Sequence, residues 1–159
     1  VLVGTMNPEE GDIRPQLLDR FALSVTVTGE REAKDRIEVV KRRIAYEQDA
    51  EGFAASYREQ QEALRERIER ARALLKSVAV ADGMLEKAAH ISLALGVDGH
   101  RADITLIKAA MANAAFSGRK EVATEDMKAV SRLVLAHRLR RRPFEEGEVD
   151  WTVVDDVLA

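Results

Sequence analysis

The chain has 159 residues, no cysteine, and 25 Lys+Arg against 28 Asp+Glu, for a net charge of −3. That length suits one domain, or a small domain with a piece of another, and 46% hydrophobic residues are too many for a disordered chain. The composition excludes disulfides, thiolate metal sites, cysteine nucleophiles and a global basic field for nucleic acid, and its 4% aromatic and 33% charged residues favour helices with salt-paired faces over a β-sandwich.

Val1-Leu2-Val3 is a short, continuously apolar run of the kind found in strands buried on both faces, and Ala22 to Val27 reads as a second strand. A strand that short needs neighbours, and there is no initiator Met. The chain therefore reads as a piece cut from a larger α/β domain. Val1–Gly4 has neither the basic flank nor the apolar region of a signal peptide, and no run is long enough to span a membrane. A cytoplasmic protein of a reducing compartment is expected.

Between the two strands lies Gly4-Thr5-Met6-Asn7-Pro8-Glu9-Glu10-Gly11-Asp12-Ile13-Arg14-Pro15-Gln16-Leu17-Leu18-Asp19-Arg20-Phe21. The first strand empties into Thr-Met-Asn-Pro, which puts Asn7 just past its C-terminal end, the rim where ligands sit in open α/β sheets. An amide there can orient a water or a phosphate oxygen. A helical turn from Pro15 to Phe21 then carries Arg20 up to the second strand. The plain alternative is a loop with Pro at a helix start and Arg20 in a surface salt bridge.

Ala33, Ile37, Val40 and Ile44 step by four, three and four, predicting an amphipathic helix from Glu30 to about Glu47. Asp49 to Gly52 interrupts it. A longer helical pattern follows, with Phe53, Tyr57, Leu64, Ile68, Ala71 and Leu75 on one side. Its other side is a solvated face carrying Glu62–Arg65, Glu66–Arg70 and Glu69–Arg72. After a break at Asp82-Gly83, a third helix from Met84 to Leu95 uses Leu85, Ala88, Ala89, Ile91, Leu93 and Leu95, and Gly96 stands at a left-handed cap position.

Asp98-Gly99 marks a turn. The fourth helix runs from about His100 to Ser117, with Ile104, Ile107, Ala110, Met111 and Ala114 inward, and Gly118 closes it. Thr124 reads as the N-cap of a fifth helix, followed by Glu125 and Asp126. That helix uses Met127, Val130, Leu133, Val134 and Leu139 and stops at Pro143. Arg138, Arg140, Arg141 and Arg142 cluster in and after its last turn. With no aromatics interleaved they read as a solvated helix C-terminus, and nucleic acid is not expected as a partner. The remaining tail is acidic (Glu145, Glu146, Glu148, Asp150, Asp155, Asp156), either loose or a short helix or strand around Trp151 and Val153.

Conventional catalytic constellations are missing. His90, His100 and His137 are scattered and lack metal-ligand spacing, so no metal site is assigned. No nucleophile elbow and no Gly-x-x-x-x-Gly-Lys phosphate loop occurs. On its own the chain is not expected to bind nucleotide tightly or to hydrolyse it.

The Thr-x-Asn-Pro, Glu-Glu-Gly and Arg-Pro-Gln-Leu-Leu-Asp-Arg-Phe strings nevertheless resemble the second half of an AAA+ ATPase module, and closely resemble the ATPase (I-type) subunit of magnesium chelatase. The likeness continues through Val97-Asp98-Gly99-His100-Arg101-Ala102-Asp103-Ile104 and His137-Arg138-Leu139-Arg140-Arg141-Arg142-Pro143-Phe144, covering roughly residues 1–144. It implies a mainly α fold: residues 1–29 as the C-terminal end of an AAA+ α/β core with two strands, 30–143 as a helical lid bundle, and 144–159 as an acidic tail.

The resemblance also implies roles. Asn7 matches sensor 1, which positions the attacking water, and Arg20 matches the arginine finger that reaches a neighbouring subunit's nucleotide. Arg14 is a second candidate interface arginine, and Arg101 matches sensor 2 on the lid. His100 stands where the family often has leucine or methionine. The implied function is the ATP-driven motor of magnesium chelatase, a ligase-type enzyme inserting Mg²⁺ into protoporphyrin, as a hexameric ring with a D-type and a large porphyrin-binding subunit. ATP and its Mg²⁺ would be held mainly by a P-loop and Walker-B half outside these residues. The alternatives are a MoxR-like AAA+ chaperone, a cobalt-chelatase motor, and a plain helical interaction domain with no link to nucleotide.

Overall fold

The computed structural model describes residues 1–7, 9, 11, 13–97, 99–139 and 149–159. The chain is mostly helical, as its composition favours. Eight α-helices are described: α1 (Pro15–Leu18), α2 (Ala33–Gln48), α3 (Ala50–Ser56), α4 (Arg58–Leu74), α5 (Asp82–Ala94), α6 (Arg101–Phe116), α7 (Thr124–Leu135) and α8 (Thr152–Leu158), with a 3₁₀ turn at Leu75–Ser77. Among the described residues no helix is long and apolar enough to cross a membrane.

The core is built from the second half of the chain. On α6 the buried row is Ala102, Leu106, Ala110 and Ala114, at steps of four. Three alanines in that row let α7 approach closely, and α7 answers with Met127, Val130 and Val134, all at most 7% exposed. Ala88 and Ile91 of α5 and Val154 and Leu158 of α8 complete the cluster. The row also explains why Ile104, expected inward, is 54% exposed. It stands two residues from Ala102 and Leu106, on the opposite side of the helix. Leu85 and Leu93 of α5 are likewise exposed.

Gly96 and Gly118 close α5 and α6 with φ of +65° and +75°, the left-handed conformation their positions required. Three boundaries differ from expectation. Asp82 and Gly83 form the first turn of α5 rather than a break. The long second helix divides at Tyr57, where the Ser56 hydroxyl donates to the Phe53 carbonyl (2.7 Å) and competes with the helical ladder. The fifth helix ends at Leu135, and its last carbonyls are met by tighter turns, with Arg138 N–H donating to Leu135 O (2.8 Å).

Ala123, not Thr124, is the cap residue of α7. Its N–H donates to Asp126 Oδ2 (2.9 Å), and Asp126, fully buried, also accepts from Arg119 Nη1 (2.6 Å) and Asn113 Nδ2 (2.8 Å). Burial alone would raise this carboxyl's pKa. The Arg119, Ala123 and Asn113 donors together hold it below the ordinary value.

The tail resolves into the helix α8. Arg140, Arg141 and Arg142, the Pro143 stop, and Glu145, Glu146 and Glu148 lie outside the described residues. Val1–Val3 and Ala22–Val27, expected as strands, have no ladder partner among the described residues, and Val1, Leu2, Val3, Val25 and Val27 are exposed. A strand is defined by its neighbours' hydrogen bonds. The bridge that does form among the described residues pairs Ala79 with Glu121.

The α2, α3 and α4 helices contain no buried residue. The α2 stripe is real but uncovered, with Ile37, Val40 and Ile44 all about half exposed, whereas Ala71 and Leu74 at the end of α4 pack against the core. Tyr46, Phe53 and Tyr57 stack at the corner between these helices, with ring centroids 5.9 and 5.1 Å apart. Toward the core, Arg67 of α4 lies 3.8 Å above the Phe116 ring and its Nε donates to Phe116 O (3.1 Å), so α4 is fastened to the end of α6.

Candidate functional site

The site forms where α1 and the residues after it meet the start of α6 and the end of α7. Pro15 opens α1 with its φ preset and no N–H to satisfy. Arg14 precedes it, and the Arg14 carbonyl accepts from Leu17 N–H (2.9 Å) and Leu18 N–H (3.1 Å). The chain then turns through Asp19 to Ala22, with Arg20 N–H on Leu17 O and Phe21 N–H on Leu18 O, each 3.0 Å.

That turn presents its carboxylate and its carbonyls to the helical body. Arg101, the first residue of α6, donates from Nη1 to Asp19 Oδ2 (2.7 Å) and Asp19 O (3.3 Å). Arg138 donates from Nη2 to Phe21 O (2.8 Å) and Asp19 O (3.4 Å), and from Nη1 to Ala22 O (3.1 Å) and Val134 O. Its Nε lies 3.4 Å from Asp19 Oδ1. His137 Nε2 bonds Phe21 O (3.0 Å), and Ser24 N–H donates to Leu133 O (2.9 Å).

The electrostatics follow from burial. Removal from water pushes the Arg138 guanidinium below its ordinary pKa, and the Asp19 carboxylate acts against that shift. Burial also lowers the His137 imidazole, outweighing its bond to Phe21 O, with Arg138 adding repulsion. The neutral tautomer with hydrogen on Nε2 suits that carbonyl contact. Arg101 is a cation at a helix N-terminus, the unfavourable end of the dipole, and Asp19 compensates it. With Arg20 alongside, the cluster carries more guanidinium than carboxylate and is suited to anions.

Arg20 and Arg14 are exposed, and among the described residues neither side chain has a hydrogen-bond or ionic partner. Asn7 is exposed, with Oδ1 accepting from Glu9 N–H (3.2 Å). The segment before it passes Phe21, since a Cβ placed on Gly4 would sit 3.6 Å from that ring. Of the four residues singled out from the sequence, Arg101 and Arg20 are joined through Asp19. Among the described residues Asn7 and Arg14 make no hydrogen bond or ion pair with that pair. No group of three or more His, Asp or Glu side chains that could hold a metal ion occurs among the described residues.

Sequence reasoning passed over Asp19 and Arg138. Arg138 was grouped with the solvated arginines, although Met127, Val130, Val134 and Arg138 step by three, four and four. A charge on the apolar row of a helix was the available signal.

The AAA lid domain family matches residues 85–157. A magnesium-chelatase subunit ChlI homologue of Methanocaldococcus jannaschii is 47% identical over 158 residues, spanning 99% of this chain and 43% of that protein. The magnesium-chelatase 38 kDa subunit of Cereibacter sphaeroides is 45% identical over 147 residues, 92% of this chain and 44% of that subunit. An uncharacterised Mycobacterium tuberculosis protein is 44% identical over 159 residues, 100% of this chain and 25% of its own length. The chain thus spans less than half the length of these curated relatives. In fold it is similar to a crystal structure of a candidate ATPase from Cytophaga hutchinsonii, with a TM-score of 0.63 at 18% identity, over 93% of this chain and 48% of the other.

Proposed function

Because the chain belongs to the AAA+ family of magnesium-chelatase I subunits, we propose that it supplies the phosphate-sensing and inter-subunit arginines of an ATP-driven chelatase motor. The observation that carries this reading is the Asp19–Arg101 ion pair beside an exposed Arg20 whose side chain has no partner among the described residues. Phosphoryl transfer spreads negative charge over the γ-phosphate oxygens, so its catalysts are positioned cations and donors. Arg20 is free to reach another subunit's nucleotide, and an arginine finger of this kind typically contributes about 10³–10⁵ in rate. Arg101 can exchange the carboxylate of Asp19 for a phosphate, coupling nucleotide state to the lid.

In this reading Asn7 orients the attacking water, and Arg14 is a further arginine at the subunit boundary. Residues 1–29 belong to the ATPase core, 30–143 to the lid, and 144–159 form the tail. ATP and its Mg²⁺ are bound mainly by residues outside this chain, in a P-loop and Walker-B half. The subunits assemble as a ring and act in the cytoplasm with a D-type and a porphyrin-binding subunit, driving insertion of Mg²⁺ into protoporphyrin. The test is Arg20→Ala in the complete ATPase subunit. Hydrolysis should fall by about 10³-fold or more with nucleotide binding nearly intact. Unchanged hydrolysis would overturn the assignment.

A further inference from the structure

Arg138 is far more enclosed than a helix-end cation needs to be, with a side chain only 2% exposed. An arginine taken out of water is costly unless its donors are used, and an apolar residue of similar size would serve packing alone as well. Here the Nη donors are used, mostly on one short piece of backbone, while Nε faces the Asp19 carboxylate without a hydrogen-bond partner among the described residues. The carbonyls of Asp19 and Phe21, on either side of Arg20, both accept from Nη2, and Ala22 O accepts from Nη1. With the carbonyls of the residues before and after Arg20 gripped from the helical body, the Arg20 side chain is left exposed to solvent. The same guanidinium keeps Asp19 Oδ1 3.4 Å from its Nε, while Oδ2 remains for Arg101 at 2.7 Å.

We propose that Arg138 is a positioning residue for nucleotide hydrolysis, locking the Asp19–Ala22 turn to the end of α7 so that Arg20 projects outward and Asp19 is held for Arg101. The inference rests on the reading of Arg20 and Arg101 as phosphate-facing cations, in which Arg138 has no part. A single ammonium cannot span carbonyls on both sides of residue 20 and a carboxylate as well, so lysine is a poor substitute. Displacing a phosphate-facing group by about 1 Å costs on the order of 10²-fold in rate. A latch that touches no nucleotide can therefore matter to turnover.

Two experiments test it. In the 159-residue chain, amide hydrogen exchange of Arg138→Gln and Arg138→Lys should lose protection about tenfold or more at Arg20, Phe21 and Ser24, with Leu106 and its core neighbours unchanged. In the complete ATPase subunit, both variants should lower kcat by about tenfold or more while leaving nucleotide affinity within about threefold. Arg138→Gln and Asp19→Asn together should cost less than the product of the two separate losses. Mixed with P-loop-dead subunits that retain Arg138, the Arg138→Lys subunits should regain hydrolysis, since their nucleotide then meets a correctly seated Arg20. Turnover within about twofold of the native value in Arg138→Lys would overturn the proposal, as would unchanged exchange in the turn or a loss of affinity equal to the loss of kcat. If Arg20→Ala is impaired and Arg138→Lys is normal, only the latch fails. If Arg20→Ala is normal, the reading beneath it fails.

Discussion

Asp19 and Arg101 lie 82 positions apart in the chain and meet in a 2.7 Å ion pair, at a carboxylate that also faces Arg138. The two arginines use it differently. Arg101 is 53% exposed and keeps much of its hydration, whereas Arg138 is enclosed and depends on its protein partners.

That asymmetry sets an order of stability. Arg101→Ala should cost less than about 1 kcal/mol, as exposed pairs do. Asp19→Ala should cost at least about 1 kcal/mol more, because it leaves the buried Arg138 cation under-compensated. Urea unfolding of the two variants measures the difference, and equal costs would show that the enclosed guanidinium does not need the carboxylate.

His137 gives the fold a pH dependence near neutrality. Its folded-state pKa lies below the ordinary 6.5, so the unfolded chain takes up the proton first. Stability should therefore decline as pH falls through that ordinary value and level off once the folded imidazole itself protonates. His137→Gln, which can keep a donor toward Phe21 O, should flatten the slope in thermal melts taken between pH 7.5 and 5 or so.

Asp126 acts in a lower window. Its folded pKa is held below the ordinary 3.8, so its contribution is present above that value and is lost as pH falls through the folded one. Asp126→Ala should cost about 3 kcal/mol at neutral pH, the low end for a broken buried pair, because Arg119 is 39% exposed and can rehydrate. Chemical denaturation gives the number, and a loss under about 1 kcal/mol would mean the Ala123 N–H and Asn113 find other partners.

The uncovered stripe of α2 predicts a contrast with the core. Ile37→Ser and Val40→Ser should each change stability by less than about 0.5 kcal/mol, while Leu106→Ala should cost about 2–5 kcal/mol. A large effect at Ile37 would reveal a contact that its 54% exposure does not suggest.

Much of the helical body was legible because its signals are local. Gly96 and Gly118 marked helix ends, and Ala110, Ala114, Met127, Val130 and Val134 followed helical spacing. Periodicity gives a helix its apolar side but not its neighbour, which is why Ile37, Val40 and Ile44 formed a recognisable stripe that turns out uncovered. Capping was misplaced by one residue because Asp126 reaches back to Ala123 as part of a buried network with Arg119 and Asn113. Val1–Val3 and Ala22–Val27 have the composition of strands but no ladder to join among the described residues, because a strand forms only against its neighbours. The motifs around Arg20 and Arg101 were visible as strings. What joins them was not, because an ion pair between positions 19 and 101 leaves no mark in local spacing.

The Arg67 fastening on Phe116 also makes α4 a lever. From Arg67 back to Arg58 the helix extends about 14 Å at 1.5 Å per residue, so a tilt of about 10° at the pin carries its far end some 2.5 Å. Residues 50–56 and the α2 rod lie beyond that end, with no buried anchor of their own to resist. A tilt passed to α4 from α6, the helix that starts at Arg101 and ends at Phe116, would therefore displace the apolar-striped arm most.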